Sequence, residues 1–363
     1  MSPSPLPTRE IGRTGLRVSE LGVGAAPLGN LFKQMSDHDA LTILTDALDQ
    51  GVTYIDTAPS YGFGLSERRV GEALRARRGI TVSTKVGRLL EPDASVDIHS
   101  ERDGFLSPMP FKTVFDYSYD GVLRSYEDSL QRLGLARVDI LYIHDIGALT
   151  HGERGRFHFK ALTRGGGLRA LEQLRSFGAI GAFGVGVNEI DACHQVMDHV
   201  SLDVILLAGR YTLLEQRANT TLFPKCQSVG TSIVIGGPYN SGILATGVKR
   251  DGVLRYDYKR APANVVERVG AIEKVCDQFE VPLAAAALQF PLAHPAVISV
   301  IPGLDHPRQV PQSLDLYNTA IPAELWTALK SQGLIDEAAP IPRARARHDR
   351  LAPTLLGSDS RRL

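Results

Sequence analysis

Eight short apolar runs, spread along almost the whole chain, do most to limit what it can fold into. They cover residues 21–25, 52–57, 80–84, 138–143, 180–187, 203–207, 232–235 and 297–301. They are too short for helices and too uniformly apolar for strands with one wet face. Each therefore predicts a parallel strand buried on both sides. Between them, amphipathic stretches at 36–50, 65–77, 119–133, 167–177, 189–200, 218–229 and 264–279 predict helices. Ser36 with Asp39 three residues on has the form of an N-terminal cap, and Gly51, Gly134 and Gly178 fall just past predicted helices. Strand and helix alternating in one run satisfy an α/β fold of the (β/α)8 TIM-barrel type, with an open doubly wound sheet as the structural alternative.

The 363 residues would accommodate two domains, but the unbroken alternation predicts a single barrel over 1–335. The stretch 12–21 predicts an N-terminal β-hairpin capping the bottom of that barrel. Two long connections, 86–115 after the third strand and 145–166 after the fourth, would hang over the C-terminal face, where barrel enzymes carry their chemistry. The remainder, 336–363, is expected to be a flexible Arg-rich tail, with six Arg and two Asp from Pro340 onward.

Forty basic side chains against forty acidic ones leave no net charge. That argues against nucleic acid or an anionic membrane surface as partner, since both need a cationic surplus. No run approaches the ~20 apolar residues of a membrane span. Residues 1–10 are rich in Pro and Ser and lack the apolar core of a signal peptide. Three widely spaced cysteines, Cys193, Cys226 and Cys276, suggest reduced thiols. The expectation is a cytoplasmic protein acting on a small polar molecule, with its oligomeric state open.

Ionisable groups gather where the predicted strands end. The second strand ends in Asp56-Thr57, with Tyr61 just beyond; the third ends in Ser83-Thr84-Lys85; the fourth ends in His144-Asp145. Neighbouring strands lie ~4.8 Å apart, so an acid, a phenol, an amine and an imidazole can converge on one atom. A lysine ammonium beside a tyrosine favours the phenolate, a carboxylate holds the lysine charged, and the histidine orients a carbonyl or hydroxyl oxygen. Such a set moves protons between an alcohol and a carbonyl, and it requires a hydride carrier.

With the motif Asp56-Thr57-Ala58-Pro59-Ser60-Tyr61-Gly62 and with Lys85 and His144 at strand ends, the chain resembles the aldo-keto reductase superfamily over roughly Arg9 to Leu334. The resemblance implies a nicotinamide-dependent barrel oxidoreductase with Tyr61, Lys85, Asp56 and His144 as catalytic tetrad. It implies that Asn188 grips the nicotinamide carboxamide, although an Asn there is also suited to capping the next helix. It assigns Gly24, Ala25 and Asp56 to the cofactor's surroundings, and residues 236–242, including Gly237, Pro238, Tyr239, Ser241 and Gly242, to its pyrophosphate. Two positions depart from the family pattern: Ala208 stands where a glutamine commonly precedes Tyr211, and Gly236 where an aromatic often stacks on the nicotinamide, a role for which Tyr211 and Tyr239 are the candidate substitutes. Around the eighth strand, Gly303, Leu304 and Gln309 occupy places that carry Lys, Ser and Arg in many NADP-preferring members, with Ser313 close by. Asp305 adds a repulsive charge while His306 and Arg308 remain near, so NAD is the expected cofactor and NADP a secondary one.

Residues 26–32, 83–90 and 207–215 resemble the D-threo-aldose 1-dehydrogenase group, which includes L-fucose dehydrogenases and pyridoxal 4-dehydrogenases. That likeness implies oxidation of a cyclic hemiacetal, an aldose such as L-fucose or D-arabinose, to its lactone, with Tyr61 as general base. The alternatives are oxidation of pyridoxal to 4-pyridoxolactone and general aldehyde or ketone reduction. Arg88, Asp93, His99, Glu101, Asp145 and His158 are candidates to bind substrate hydroxyls. Readings from other classes are a non-catalytic nucleotide-sensing barrel, against which the intact tetrad argues, and a metal-dependent hydrolase. No His-x-His pair ends a strand, so no metal is expected.

Overall fold

The predicted strands form one parallel sheet whose order follows the chain: β1 Val23–Gly24, β2 Tyr54–Asp56, β3 Thr81–Val86, β4 Ile140–His144, β5 Ala182–Val187, β6 Val204–Ala208, β7 Ser232–Gly236 and β8 Val297–Ile301. The computed structural model describes residues 6–250 and 252–343. Gly22 N donates to Val300 O and Gly24 N to Pro302 O, each at 3.0 Å, so β1 meets β8 and the sheet closes into a (β/α)8 barrel. Side chains alternate across the wall. Ile55, Val82, Leu141, Ile143, Phe183, Ile205 and Ile233 face the helices, while Tyr54, Ile140, Tyr142, Ala182, Val204, Val234 and Ile298 fill the interior.

The helices are α1 Asp37–Asp49, α2 Leu65–Leu74, α3 Tyr119–Leu133, α4 Gly155–Thr163, α5 Gly167–Ser176, α6 Ile190–Met197, α7 Phe223–Val229, α8 Ala263–Gln278, α9 Leu283–Gln289, α10 Gln309–Asn318 and α11 Ala323–Ser331. Ser36 Oγ accepts from Asp39 N at 3.0 Å, the expected cap of α1. The predicted helix over 218–229 is instead broken into Ala218–Thr221 and α7, because Pro224 has no N–H to continue the ladder. Helices α9, α10 and α11 were not expected from the pattern. The alanine-rich α9 is buried along nearly its whole length and so has no polar face to give it a period.

The N-terminal hairpin pairs Thr8–Glu10 with Arg17–Ser19. Its Ile11 and Val18 are fully buried and pack with the interior side chains of the strands, so the hairpin plugs the lower end of the barrel. Gly12 N donates to Ser232 Oγ at 2.8 Å, tying the plug to β7. At the opposite end the long connections carry structure of their own. The one after β3 is a hairpin of Arg88–Pro92 with Phe111–Phe115, capped by a smaller hairpin of Glu101–Arg102 with Phe105–Leu106. The one after β4 contains α4. Of the Arg-rich tail, residues 344–363 lie outside the described residues; before them, Ala339 is buried and Asp336 N donates to Gln216 Oε1 at 3.2 Å.

Candidate active site

The geometry of the site begins with strand period. Asp56, Lys85 and His144 point into the barrel from the ends of β2, β3 and β4. Lys85 Nζ donates to Asp56 Oδ2 at 2.7 Å and to Thr57 O at 2.8 Å, and Ser83 Oγ donates to Asp56 Oδ1 at 2.7 Å. Both members of the Lys85–Asp56 pair are almost fully buried. Burial raises Asp56 above the ordinary carboxylate range, and the Lys85 charge and the Lys85 and Ser83 hydrogen bonds pull it back.

Tyr61 sits in the turn after β2. That turn is held by backbone packing: a Cβ on Gly62, whose φ is +64°, would lie 2.5 Å from Gly29 O, and one on Gly29 would lie 2.5 Å from the Tyr61 carbonyl carbon. Only glycine permits this approach of the two loops. Lys85 Nζ lies 4.6 Å from the Tyr61 ring centroid, and the His144 ring meets the Tyr61 ring edge-on at 6.0 Å. The four expected groups are thus together. The expected lowering of the tyrosine is not: burial pushes the Tyr61 phenol well above its ordinary value, Asp56 and Asp145 push further, and Arg88 opposes them.

His144 is held neutral, pushed well below its ordinary value by burial and then by Arg88 and Lys85. Its Nδ1 is buried without a hydrogen-bond partner among the described residues, while Nε2 lies 3.4 Å from Asp145 Oδ2. A neutral imidazole facing a carboxylate carries its proton on that nitrogen. With Nδ1 buried, Nε2–H is the donor on the cup side, facing both Asp145 and the space of the cup. Asp145, with φ +43°, is ion-paired to Arg88.

These groups line a cup of about 570 Å³, walled by Leu31, Phe32, Phe63 and Phe105 and edged by Glu101, Asp103, Arg255 and Tyr258. Of the polar candidates, Arg88, Glu101 and Asp145 reach it. Asp93 is taken up by Ser95, whose N–H and hydroxyl it accepts, and His99 is exposed on the long hairpin. His158 is buried behind the cup, its ring stacked 4.3 Å from that of His151.

The cofactor positions divide in the same way. Asn188 lines the cup and donates from Nδ2 to Ala208 O at 3.1 Å, while α6 takes Glu189 as its N-cap residue, so Asn188 is not the helix cap. Arg210, two residues beyond Ala208, donates to Asn188 O at 2.8 Å and grips Asp257 with two bonds of 2.8 and 3.0 Å. Asp257 is the tip of a hairpin pairing Arg255–Tyr256 with Lys259–Arg260, which carries Tyr258 to the cup beside Asn188. In the sequence, only the alternation Arg-Tyr-Asp-Tyr-Lys-Arg marks this hairpin.

Tyr211 does not reach the cup. It is fully buried in the helix layer against Phe223, Phe290 and His294, where it cannot stack on a nicotinamide. Ala25 is likewise buried in the core, and Gly24 serves the seam between β1 and β8. The loop after β7 suits a phosphate. A Cβ on Gly242 would meet nothing within 4 Å and one on Gly237 only Gly209 N at 3.9 Å, so this surface is open to a ligand. Pro238 is buried beneath that loop, Tyr239 is half-buried with its hydroxyl unpartnered, and Ser241 Oγ accepts from Tyr258 N at 3.0 Å. Around β8, Gly303 is exposed, Leu304 and Ser313 are buried, and Gln309 Oε1 accepts from Asp305 N at 2.7 Å. The residues present fit a dinucleotide laid from the cup across the β7 loop toward β8.

Comparison with known proteins agrees with this fold. The chain is 45% identical over 340 residues to pyridoxal 4-dehydrogenase of Microbacterium luteolum, covering 90% of this chain and 97% of that one. It is 41% identical over 327 residues to D-threo-aldose 1-dehydrogenase of a Pseudomonas species, covering 88% and 96%. The fold is similar to that of the holo form of aldo-keto reductase AKR11C1 from Bacillus halodurans, with a TM-score of 0.69, 26% identity and coverage of 92% and 98%. The model of the aldo/keto reductase family matches residues 20–333. An NAD(P)-dependent oxidoreductase built on a (β/α)8 barrel, the chain belongs to the aldo/keto reductase family.

Proposed function

We propose that this enzyme oxidises a cyclic hemiacetal, an aldose in its ring form, at the anomeric carbon to the lactone. The observation that carries the reading is the Lys85–Asp56 pair set 4.6 Å from the Tyr61 ring, with His144 edge-on and the Arg88–Asp145 pair beside it in one cup. A nicotinamide held by Asn188 and the β7 loop would supply the acceptor for the hydrogen of the anomeric C–H and its two electrons. Tyr61 takes the proton of the anomeric hydroxyl, and the Lys85 ammonium compensates the phenolate that does so. His144 Nε2–H donates to the same oxygen and fixes it as its bond to carbon becomes double. Hemiacetal and NAD+ give lactone, NADH and a proton. Asn188 and the β7 loop, with Gly237, Ser241 and Gly242, would hold the dinucleotide.

Arg88 and Asp145 offer a donor pair and an acceptor side by side, the complement of neighbouring sugar hydroxyls. Pyridoxal is the second reading. It is favoured by the 45% identity to a pyridoxal 4-dehydrogenase and by the aromatic wall of Phe32, Phe63, Phe105 and Tyr258, against which a flat ring packs. Its hemiacetal form undergoes the same oxidation. NAD is the preferred cofactor on this reading. Gln309 accepts from the Asp305 backbone N–H and carries no charge, and Lys33 lies 3.6 Å from the Asp305 carboxylate, which neutralises it. The places that carry Lys, Ser and Arg in NADP-preferring members therefore offer no cation to pair with a 2′-phosphate. Following NADH absorbance with L-fucose, D-arabinose and pyridoxal side by side tests the assignment. Turnover of an aldose that Tyr61→Phe removes is expected; oxidation of pyridoxal alone selects the second reading, and turnover unaffected by Tyr61→Phe rejects both. A large catalytic advantage with NADP would overturn the cofactor preference.

A further inference from the structure

Barrel interiors are filled mainly by branched aliphatic side chains. Directly beneath the tetrad this barrel holds three hydroxyls instead. Each catalytic strand residue has an inward neighbour two positions earlier: Tyr54 before Asp56, Ser83 before Lys85, and Tyr142 before His144. Strand register brings them together, since Asp56 pairs with Ser83 and Lys85 with Tyr142. Tyr142 Oη lies 3.0 Å from Tyr54 Oη, Tyr54 Oη lies 3.1 Å from Ser83 Oγ, and Ser83 Oγ lies 2.7 Å from Asp56 Oδ1. Tyr54, Tyr142 and Ser83 are all fully buried, so none faces the cup or solvent. Gly186 on β5 makes room for the arrangement: a Cβ there would stand 3.2 Å from Tyr142 Cβ and 3.4 Å from Lys85 Cε.

The direction of each bond follows from the first. Hydrogen-bonded already to the Lys85 ammonium, the carboxylate is an acceptor, so Ser83 spends its only hydrogen on Asp56. Tyr54 must then donate to Ser83, and Tyr142 to Tyr54. All three hydrogens point along one line toward one charge, and successive bonds in such a chain polarise each other. The chain ends in the apolar plug formed by Ile11 and Val18, so it is no path for protons to solvent.

We propose that Tyr142, Tyr54 and Ser83 are positioning residues that draw the Asp56 charge into the barrel interior and so leave the Lys85 ammonium available to the Tyr61 oxygen. The proposal rests on Tyr61 being the proton-transfer group. Without the chain, Asp56 keeps its full charge on the face toward Lys85, competes for the ammonium and repels a phenolate. Tyr61 must then ionise at higher pH.

The test uses Ser83→Ala, Tyr54→Phe and Tyr142→Phe, the last two removing one oxygen each from fully buried rings. The pH dependence of kcat for oxidation is measured with the dinucleotide saturating. In parallel, the ionisation of Tyr61 is followed without substrate or dinucleotide by carbon-13 NMR of labelled tyrosine, its signal assigned with Tyr61→Phe. Both midpoints are expected to move to higher pH by ~0.5–1 unit in Ser83→Ala, about half of the ~1–2 units that one hydrogen bond to a charged group is worth, because the bond is made to Asp56 and acts on Tyr61 at one remove. The shifts should shrink in order through Tyr54→Phe to Tyr142→Phe. Should Ser83→Ala not fold, the ordered pair of phenylalanine variants carries the test. Profiles that superimpose on the parent, while Tyr61→Phe abolishes turnover, overturn the proposal and leave the mechanism standing. Turnover that survives Tyr61→Phe overturns both.

Discussion

At neutral pH the Tyr61 phenol keeps its proton, because burial and the Asp56 and Asp145 carboxylates outweigh Arg88. A base that must lose a proton before it can take one makes oxidation faster as pH rises up to and beyond the ordinary tyrosine value of ~10, and carbonyl reduction slower once that value is passed. Rates measured in both directions across that range should therefore diverge, and parallel profiles would count against Tyr61. The neutral His144 adds no step near the ordinary histidine value, since its charged form is suppressed by burial, Arg88 and Lys85. On the proposed reading, substrate selection belongs to the neighbouring ion pair. Asp145→Asn keeps the shape of the acceptor and removes its charge, and Arg88→Lys loses the forked donor. Each is expected to raise the substrate KM by ~10–100-fold, the size of a lost charged hydrogen bond, with a smaller effect on kcat. Steady-state kinetics decide, and an unchanged KM in both would remove the pair from the binding site. The gathering of Asp56, Tyr61, Lys85 and His144 was legible in the sequence because strand ends fix where Asp56, Lys85 and His144 must point. The Arg88–Asp145 bond was not, because both residues lie in connections whose path the strand period does not determine.

Elements divide along the same line. The eight strands could be read because a parallel barrel strand is buried on both faces and so forms a continuous apolar run. Helix α3 spans the predicted 119–133, between a Ser118 cap that accepts from Gly121 N and a closing Gly134 with φ +63°. Tyr211 was misjudged for the complementary reason: its place in the family pattern says nothing of which layer it packs into, and here the helix layer claims it. The hairpin over 255–260 escaped notice since two-residue strands have no period to detect. Yet it carries Tyr258 to the cup and is fastened through Asp257 and Arg210 to the Asn188 backbone. Asp257→Asn should loosen that fastening and raise the KM for NAD about tenfold, in line with a weakened charged hydrogen bond, as steady-state kinetics with NAD varied would show. The N-terminal hairpin makes a purely structural prediction. Ile11→Ala empties a fully buried site in the barrel floor and should cost ~2–5 kcal/mol in denaturant unfolding.

Seen along its axis, the molecule is layered: an apolar plug, then Tyr54, Ser83 and Tyr142, then Asp56, Lys85 and His144, then the cup. Keeping such an interior dry has a consequence for the whole fold, because buried imidazoles outside the axis are held neutral as well. Burial pushes His151 and His294 down to about 4, with His158 and Arg88 adding to the effect at His151. In the unfolded chain each returns to a value near ~6.5. Between those two values the unfolded state binds more protons than the folded one, so stability is lost as pH falls from ~6.5 to ~4 and is regained on neutralisation. The ceiling is about 3 kcal/mol for each histidine, from a displacement of some two and a half pH units at ~1.4 kcal/mol per unit. His294 allows this linkage to be isolated. It lies 5% exposed at the foot of β8, packs against Tyr211 and Phe223, and accepts from Ala296 N at 3.1 Å through Nδ1. His294→Asn keeps an acceptor for that N–H and cannot titrate. The variant should be less stable than the parent at pH ~7, where packing is lost, but the gap should narrow steadily toward pH ~4 as the parent alone loses its histidine contribution. Equilibrium unfolding in urea at several pH values reads both curves, and curves that stay parallel throughout would show that His294 is not held neutral by the fold.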